Sequence, residues 1–464
     1  MSALHLRISM LKTFANLFKE PELRARILFT IALVAVARLL AMIPTPGVDW
    51  AALQTLQAKF AANSSGGLVG WFDTFTGGAL TQFSVGTLSI WPYISAQIVI
   101  QLMTAVIPAL GRLQREGDAG RKTLNLYIRY LTIAICVFQA GALATTMLNP
   151  SSLGMGTDAV VAMDPVLFFI STVICMTGAS MFVMWLGDQI TERGIGNGVS
   201  LLIMINITSR LPAAVADAAR RYFGVGGASA QGTIWELALL LLFGFGVLLG
   251  TVAITQALRK IPIHSTRAIS RGSAYGGGTT YLPLRVNYAG VMPIIFAGPI
   301  LQLIGLMGNM EGTNAVSAVL KKVGQAVGMP TSPAHIVLYG ALILFFTFFW
   351  VATQFNAMNI SEGLKREGSY IPGIRPGMAT AEYLDGVMTR VTLIGALALL
   401  AIAIIPLLLT SARDISYNIA SFFGGTSLLI IVGVALDTLR QLESQLVMRN
   451  YEGFLKHGRI AGRH

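Results

Sequence analysis

Charge is scarce in this chain. Only 12% of its 464 residues are Asp, Glu, Lys or Arg, whereas 54% are hydrophobic, and the mean hydropathy is +0.67. Soluble domains carry about 25% charged residues. The composition therefore argues against a soluble globular protein and predicts a polytopic membrane protein with little room for a separate soluble domain.

Residues for metal, redox and nucleotide chemistry are also sparse. The two cysteines, Cys136 and Cys175, lie in different apolar runs, which argues against a disulfide framework. The five histidines are scattered over loops and termini, and no two have metal-ligand spacing. No GxxxxGK[ST] phosphate loop occurs, and the GIGNG run at 194–198 is better explained as a re-entry turn between spans. No cofactor is expected, and a membrane-embedded enzyme is disfavoured.

Long apolar runs dominate the chain, and each run of roughly 20 residues is a candidate membrane helix. Ten such spans put both termini on the same side of the membrane. Of the 33 Lys and Arg residues, 25 fall on that side, seven on the other, and Arg38 lies inside the first span. The positive-inside rule makes the basic side cytoplasmic. The spans fall at about 27–44, 86–107, 127–148, 165–187, 199–217, 234–257, 290–308, 335–355, 387–409 and 418–437.

The predicted organisation is an all-α integral membrane protein with ten transmembrane helices in two halves. An odd number of spans in each half would make the second half inverted relative to the first, as in many transporters. Two long cytoplasmic loops, 259–288 and 356–385, are basic and are functional candidates or lipid-contacting connectors. The parts are a cytoplasmic N-terminal segment at 1–26, a first half at 27–217, a second half at 234–437 and a cytoplasmic tail at 438–464.

The stretch from Phe72 to Pro108 is apolar but does not have the pattern of one plain helix. Glycines at 77, 78 and 86 and Pro92 break it, and such breaks at membrane depth occur where backbone is buried in protein or lines a cavity. We therefore expect a short segment near 75–83 that folds back, followed by a spanning half. Ile90 and Ile94 share a helix face, and either core packing or a lining role fits that spacing.

Ionisable residues within the predicted spans are few. Arg38 is the clear one, and the alternatives for it are a functional charge or a structural tie to a neighbouring loop or helix end. An ion-coupled carrier usually needs acidic residues inside its spans, and this chain has almost none there. A small-solute secondary transporter remains the alternative that broken helices favour.

Eight motifs, in order along almost the whole chain, make the sequence resemble the SecY family of protein-conducting channels. The matching motifs are IPTPGVD at 43–49, FTGGAL at 75–80, PYISA at 92–96, QITERGIGNG at 189–198, YLPLRVNYAGVMP at 281–293, IPGIRPG at 371–377, MTRVTLIGA at 388–396 and FGGTSLLI at 423–430.

The resemblance implies a central hourglass pore that an apolar ring constricts at mid-membrane. Such a ring resists ions by dewetting and offers no fixed polar partner to a passing polypeptide. The matching ring positions are Ile90, Ile94, Val199, Ile203, Ile295 and Ile430. A plug near 72–84 would seal the extracytoplasmic side of the ring. The matching plug positions are Phe75, Thr76, Gly77, Gly78, Ala79, Leu80, Thr81, Gln82 and Phe83.

The resemblance also implies a lateral gate and a set of partners. The gate would release apolar segments into lipid, and its matching positions are Ser95, Gln302 and Leu303. Arg267, Arg271 and Arg375 in the long cytoplasmic loops would contact the SecA motor or the ribosome, including its RNA phosphates. SecE and SecG subunits would complete the channel, and anionic lipid is a further expected contact. The implied function is transport of unfolded preproteins across the cytoplasmic membrane of a bacterium, with no bond chemistry in this chain.

Overall fold

The chain is described by a computed structural model that covers residues 21–49, 51–55, 73, 75–148, 161–224, 233–265, 280–307, 315–328, 332–413 and 426–457. Almost all of its regular structure is helical, as predicted. The helices are α1 (Pro21–Leu40), α2 (Trp91–Val106), α3 (Pro108–Arg115), α4 (Asp118–Leu148), α5 (Pro165–Arg193), α6 (Gly198–Thr208), α7 (Leu211–Phe223), α8 (Ile234–Gln256), α9 (Met292–Met307), α10 (Ala315–Gly328), α11 (Pro333–Gln354), α12 (Ala357–Arg366), α13 (Met378–Arg413) and α14 (Thr426–His457).

Within the described ranges, six stretches are long and apolar enough to cross a membrane, or seven if the bent pair α2–α3 counts as one. The prediction of a multi-span membrane protein is confirmed, whereas the count of ten stays a prediction. Helix α9 is apolar but is not counted among these stretches, because its 16 residues extend only about 24 Å, less than the hydrocarbon core of about 30 Å. Helix α13, with 36 residues, extends about 54 Å and must protrude from the bilayer.

A sharp bend separates α2 from α3. The two helices meet at 108°, and Ile107 between them has an extended backbone with φ −97° and ψ 111°. Pro108 explains the bend, because proline disfavours a helical conformation in the residue before it and is well placed in the first turn of a new helix. The predicted span 86–107 therefore ends where α3 begins, and α3 carries the basic residues Arg112 and Arg115.

The chain divides into two compact units, and each is described by itself. The first comprises Met1–Ser64, Trp71–Pro212 and Val434–His464. Its centre is the pair α4 and α5. Buried positions on α4 recur every four residues from Leu124 to Ala144, and most are small, so the two helices approach closely along one face. Phe83 stacks on Phe168 of α5 with ring centroids 6.2 Å apart, which joins the broken stretch to this core.

The second unit comprises the described residues within Ala213–Gly433. Its helix α11 packs against α9 on one side and against α13 on another. Phe296 of α9 meets Phe346 and Trp350 of α11 edge-to-face at 5.9 and 5.4 Å, a favoured geometry for aromatic rings. Gly340 lets α11 approach α13, since a Cβ there would lie 2.9 Å from Leu400 Cδ1.

A small β-sheet joins the two long loops, and sequence analysis did not predict it. Strands β1 (Leu258–Ser265) and β2 (Thr280–Arg285) pair antiparallel, and β3 (Ser369–Tyr370) pairs with the end of β1, giving the order β2-β1-β3. Ile261 and Leu284 turn inward against Val351, Leu384 and Met388 of α11 and α13. The two loops therefore form one structured layer in the second unit.

The glycine-rich turn at 194–198 connects α5 to α6, as predicted. In this turn the backbone of Gly198 packs closely against α5. A Cβ on Gly198 would lie 2.9 Å from the Gly187 carbonyl carbon and 2.9 Å from Ile190 Cβ. The Gly198 amide is satisfied by Thr191 Oγ1 at 2.9 Å. We predict that Gly198→Ala destabilises the protein by about 1–3 kcal/mol through overpacking, measured as a lower Tm of the purified complex in detergent.

Gly178→Ala is the matched control, because Gly178 lies on α5 and a Cβ there would meet nothing within 4 Å. Alanine is also the better helix former, so this control should leave the Tm unchanged or raise it slightly. Equal Tm values for the two variants would contradict the close contact at Gly198.

Candidate functional site

The candidate site is built around the break that precedes α2. Helix α2 begins after Ile90, whose φ is −90° and ψ 0°, and Pro92 stands in its first turn. Ser89 has a positive φ of 49°, which is rare for a residue with a side chain. Asn206 Nδ2 of α6 donates to Ser89 Oγ at 2.9 Å and so stabilises this turn. The break therefore fixes where the first ring candidates lie.

Four of the six ring candidates belong to the first unit, on α2 and α6. Ile90, Ile94 and Ile203 are at most 4% exposed, and Val199 is half-buried. Gly187 of α5 contacts both groups, because a Cβ on it would lie 3.5 Å from Ile90 Cδ1 and 3.6 Å from Val199 Cγ2. The structure thus places the start of α2 beside the start of α6, with branched aliphatic side chains at the junction.

The remaining two ring candidates belong to the second unit. Ile295 of α9 is 2% exposed and Ile430 of α14 is fully buried. The start of α14 packs near the start of α9, because a Cβ on Gly433 would lie 2.7 Å from Val291 Cγ1. Both isoleucines therefore lie in apolar surroundings close to where their helices begin.

The predicted plug positions form a buried, turn-rich segment, with helical backbone only at its start. We call the described residues 73 and 75–83 the plug segment. Phe75, Thr76, Ala79 and Phe83 are at most 5% exposed. Gly77 and Gly78 have φ of +71° and +89°, a conformation that side chains rarely adopt, so glycine is needed at both positions. The segment is therefore a folded element, as its resemblance to a plug implies, and not an open loop.

Backbone hydrogen bonds attach the C-terminal end of the plug segment, and the residues just after it, to the end of α1 and the residues that follow it. The Thr45 amide donates to Phe83 O at 3.1 Å, and Val85 and Gly86 donate to Ile43 O and Leu40 O at 2.8 and 3.1 Å. The Thr45 hydroxyl also donates to Phe83 O at 2.7 Å. This end of the segment is paired much like a short piece of sheet.

Charged side chains contact the N-terminal part of the plug segment. Arg38 Nη2 of α1 donates to Gly77 O at 3.2 Å, and Arg210, just after α6, forms an ion pair with Asp73. Of the two alternatives for Arg38, a functional charge or a tie to a neighbouring loop, this contact shows the tie. Sequence analysis missed Asp73, Asn206 and Arg210. A carboxylate in an otherwise apolar stretch, and two polar residues four apart near a span end, were the available signals.

Helix α6 sets the order of these features along its axis. Val199 and Ile203 lie on it first, and Asn206 follows one turn later, about 4.5 Å further at 1.5 Å per residue. Ser209 and Arg210 come next and contact the plug segment. The plug segment therefore lies immediately beyond the aliphatic junction, on the side towards which α6 ends.

The gate candidates are separated between the two units. Ser95 lies on α2, half-buried, and its hydroxyl donates to Trp91 O at 3.1 Å. Gln302 and Leu303 lie on α9, and their side chains fall outside the described part of the structure. The assignment of all three to a gate stays a prediction.

One of the three candidate partner contacts falls in the described residues. Arg375 is exposed in the turn before α13, and its carbonyl accepts the Thr380 hydroxyl at 2.9 Å. Gly373 and Gly377 on either side have φ of +81° and +106°, a conformation that favours glycine at both positions. Arg267 and Arg271 lie outside the described residues.

One further charged pair lies on the helices next to the aliphatic junction. Arg129 Nη2 of α4 and Asp188 Oδ2 of α5 are 2.8 Å apart, with side chains 51% and 27% exposed. Asp188 directly follows Gly187 and the predicted span 165–187, and it lies within α5, which continues to Arg193.

Comparison with known sequences gives extensive matches. The SecY family profile matches residues 84–439. The protein translocase subunit SecY of Streptomyces scabiei is 40% identical over 449 residues, covering 96% of this chain and all of that protein. The protein of the same name from Thermotoga maritima is 40% identical over 457 residues, covering 98% of this chain and all of that protein.

Solved structures share the fold. A structure described as a protein-conducting channel aligns with a TM-score of 0.57 and 17% identity over 94% of both chains. Sec61 in a canine ribosome-channel complex from the endoplasmic reticulum aligns with a TM-score of 0.52 and 16% identity, again over 94% of both chains. The family profile and the full-length relatives place this chain in the SecY family.

Proposed function

We propose that this chain forms a channel that conducts unfolded preproteins across the cytoplasmic membrane and releases apolar segments sideways into lipid. One observation supports this most directly: α6 carries the aliphatic residues Val199 and Ile203, and then the contacts to a buried plug segment. A narrow apolar constriction resists ions by dewetting, and a separate folded segment beside it adds a removable seal.

The aliphatic character of the constriction suits a substrate of arbitrary sequence. Isoleucine and valine side chains form no directional hydrogen bonds, so no particular residue of a passing chain is retained. The ring in this proposal consists of Ile90, Ile94, Val199, Ile203, Ile295 and Ile430. The small-solute transporter alternative is set aside, because full-length relatives named as protein translocase subunits match 96% or more of the chain.

The sheet layer and the turn that carries Arg375 are our proposed docking surface for the energy source. Arg375 would contact the SecA motor or the ribosome, as would Arg267 and Arg271. Ser95, Gln302 and Leu303 would belong to the lateral gate. SecE and SecG would complete the complex in a bacterial inner membrane, with both termini cytoplasmic and anionic lipid around the basic loops. In this proposal the chain itself makes and breaks no bond.

The first experiment asks whether the chain supports transport. Vesicles containing this chain with SecE and SecG are supplied with SecA, ATP and an unfolded, signal-bearing preprotein, and protection from external protease is measured. Protection that requires both the chain and SecA supports the proposal. No protection, together with ion-driven uptake of a small solute, would reinstate the transporter.

We predict that replacing Ile94, Ile203 and Ile430 together with glycine raises the resting ion conductance of reconstituted vesicles. Removing three branched side chains widens the constriction and lets water wet it. Ile133, Ile170 and Ile394, which are exposed on α4, α5 and α13, provide a matched triple-glycine control that should keep the wild-type conductance. Unchanged conductance in the first variant would remove these residues from the constriction.

We predict that Arg375→Glu lowers SecA-driven transport by about tenfold, equivalent to roughly 1.4 kcal/mol of lost interaction. The side chain is exposed, so reversing its charge should leave folding and assembly intact. Arg24→Glu on α1 makes the same change at another exposed arginine and should transport normally. Wild-type transport rates for Arg375→Glu would exclude this position from the coupling surface.

A further inference from the structure

The two ends of the plug segment are held by different kinds of interaction. Its C-terminal end, with the residues just after it, is held mainly by backbone hydrogen bonds to residues 40–45, and a neutral hydroxyl of Thr45 adds to them. Its N-terminal part is held by charged and polar side chains from α1 and from the end of α6. Backbone hydrogen bonds do not depend on the identity of the side chains. A side-chain contact, in contrast, is lost when either of its two residues moves away.

Asp73 is the charged residue of the plug segment, and its side chain is almost completely buried. Its side chain is 1% exposed, and Oδ2 pairs with Arg210, whose side chain is 25% exposed. Oδ1 accepts the Thr81 amide at 3.1 Å, so both carboxylate oxygens are used. The Arg210 side chain also lies along Gly78, since a Cβ there would contact its Cδ at 3.6 Å. A buried carboxylate without such partners would be very costly.

Arg38 forms a second contact with the plug segment, at the carbonyl of Gly77. Its guanidinium forks between Gly77 O and Asn206 Oδ1, at 3.2 Å in each case. Asn206 in turn donates to Ser89 Oγ at 2.9 Å. Ser209 Oγ lies 3.3 Å from Gly77 O. A side chain at position 77 has no room, because its Cβ would lie 2.7 Å from Ser209 Oγ and 2.8 Å from Asn206 O.

We propose that Arg38 and Arg210 form a polar latch that holds the plug segment closed through Gly77 O and the Asp73 carboxylate, with the paired end at 83–86 as the hinge. This inference rests on the proposed function, because it assumes that the plug segment leaves its place during transport. The latch residues position the plug and do not contact the preprotein.

The latch would hold the plug segment in one defined position, which apolar contacts alone cannot do. Apolar contacts such as Phe75 on Trp91, with ring centroids 5.6 Å apart, favour burial but tolerate sliding. A charge-assisted hydrogen bond is directional and is lost over a short displacement. Once the segment moves and water enters, the carboxylate and both guanidinium groups are solvated. Opening is therefore a switch between two defined states.

The decisive test is the resting ion conductance of the assembled complex in planar bilayers, measured without substrate. Asp73→Asn keeps the size of the side chain but removes its charge, and should raise the open fraction about tenfold or more. Asp49→Asn is the matched control, since Asp49 is an exposed aspartate in the same unit. Conductance of Asp73→Asn equal to that of the wild type would overturn the latch.

A double-mutant cycle tests the pairing itself. Asp73→Asn, Arg210→Gln and the double variant should be non-additive, because either single change already breaks the same ion pair. Strictly additive changes in the free energy of opening, calculated from the logarithm of the open fraction, would contradict direct pairing. Arg210→Lys keeps a charge and should retain most of the seal. Arg38→Lys should not, because lysine lacks the fork that reaches Gly77 O and Asn206 Oδ1 together.

Two further readouts separate a failed latch from a failed channel and from misfolding. Each variant must assemble with SecE and transport a signal-bearing preprotein, which a misfolded protein would not do. If the wild-type complex gives no preprotein protection, the proposed function fails. If protection is normal and deletion of 75–81 raises conductance while Asp73→Asn does not, the channel and plug stand and the latch is wrong.

Discussion

The absence of water inside a bilayer is the constraint on which the rest of this structure depends. Each backbone amide and carbonyl at membrane depth must find a partner within the protein. The break before α2 exposes many such groups, and nearby hydroxyls and a guanidinium satisfy them. Thr45 donates to Phe83 O, Thr87 to Ala79 O and Arg38 to Gly77 O. The irregular segment exists because these donors surround it.

Under the same constraint, apolar and polar side chains occupy different parts of α6. Its N-terminal half begins at Gly198, pressed against the Gly187 backbone, and presents aliphatic side chains. Near its C-terminal end Asn206 donates to Ser89, and Ser209 and Arg210, which directly follow the helix, contact the plug segment. Apolar groups provide a surface without specificity, and polar groups provide one defined arrangement. Because both sets lie on α6 and the two residues after it, the aliphatic junction and the plug segment are adjacent.

Sequence predicted the helical membrane class, the broken stretch and the re-entry turn, and it offered the tie as one of two alternatives for Arg38, because each has a local signature in hydropathy, glycine, proline or an isolated charge. It did not predict the sheet that joins the two long loops, since β3 is only two residues long and pairs with a strand over 100 positions earlier. It also missed Asp73 with Arg210, which are 137 residues apart, because a pairing at that distance leaves no periodic pattern. Helices α4 and α13 extend beyond the predicted spans 127–148 and 387–409, because hydropathy marks the apolar part of a helix and not the charged turns that continue it.

The three-stranded sheet has a mechanical consequence. Because β3 of the second loop is hydrogen-bonded to β1 of the first, neither loop can be displaced without the other. The sheet is in turn packed on Val351 of α11 and on Leu384 and Met388 of α13. A load applied at the Arg375 turn would thus be shared by both loops and delivered to two long helices at once.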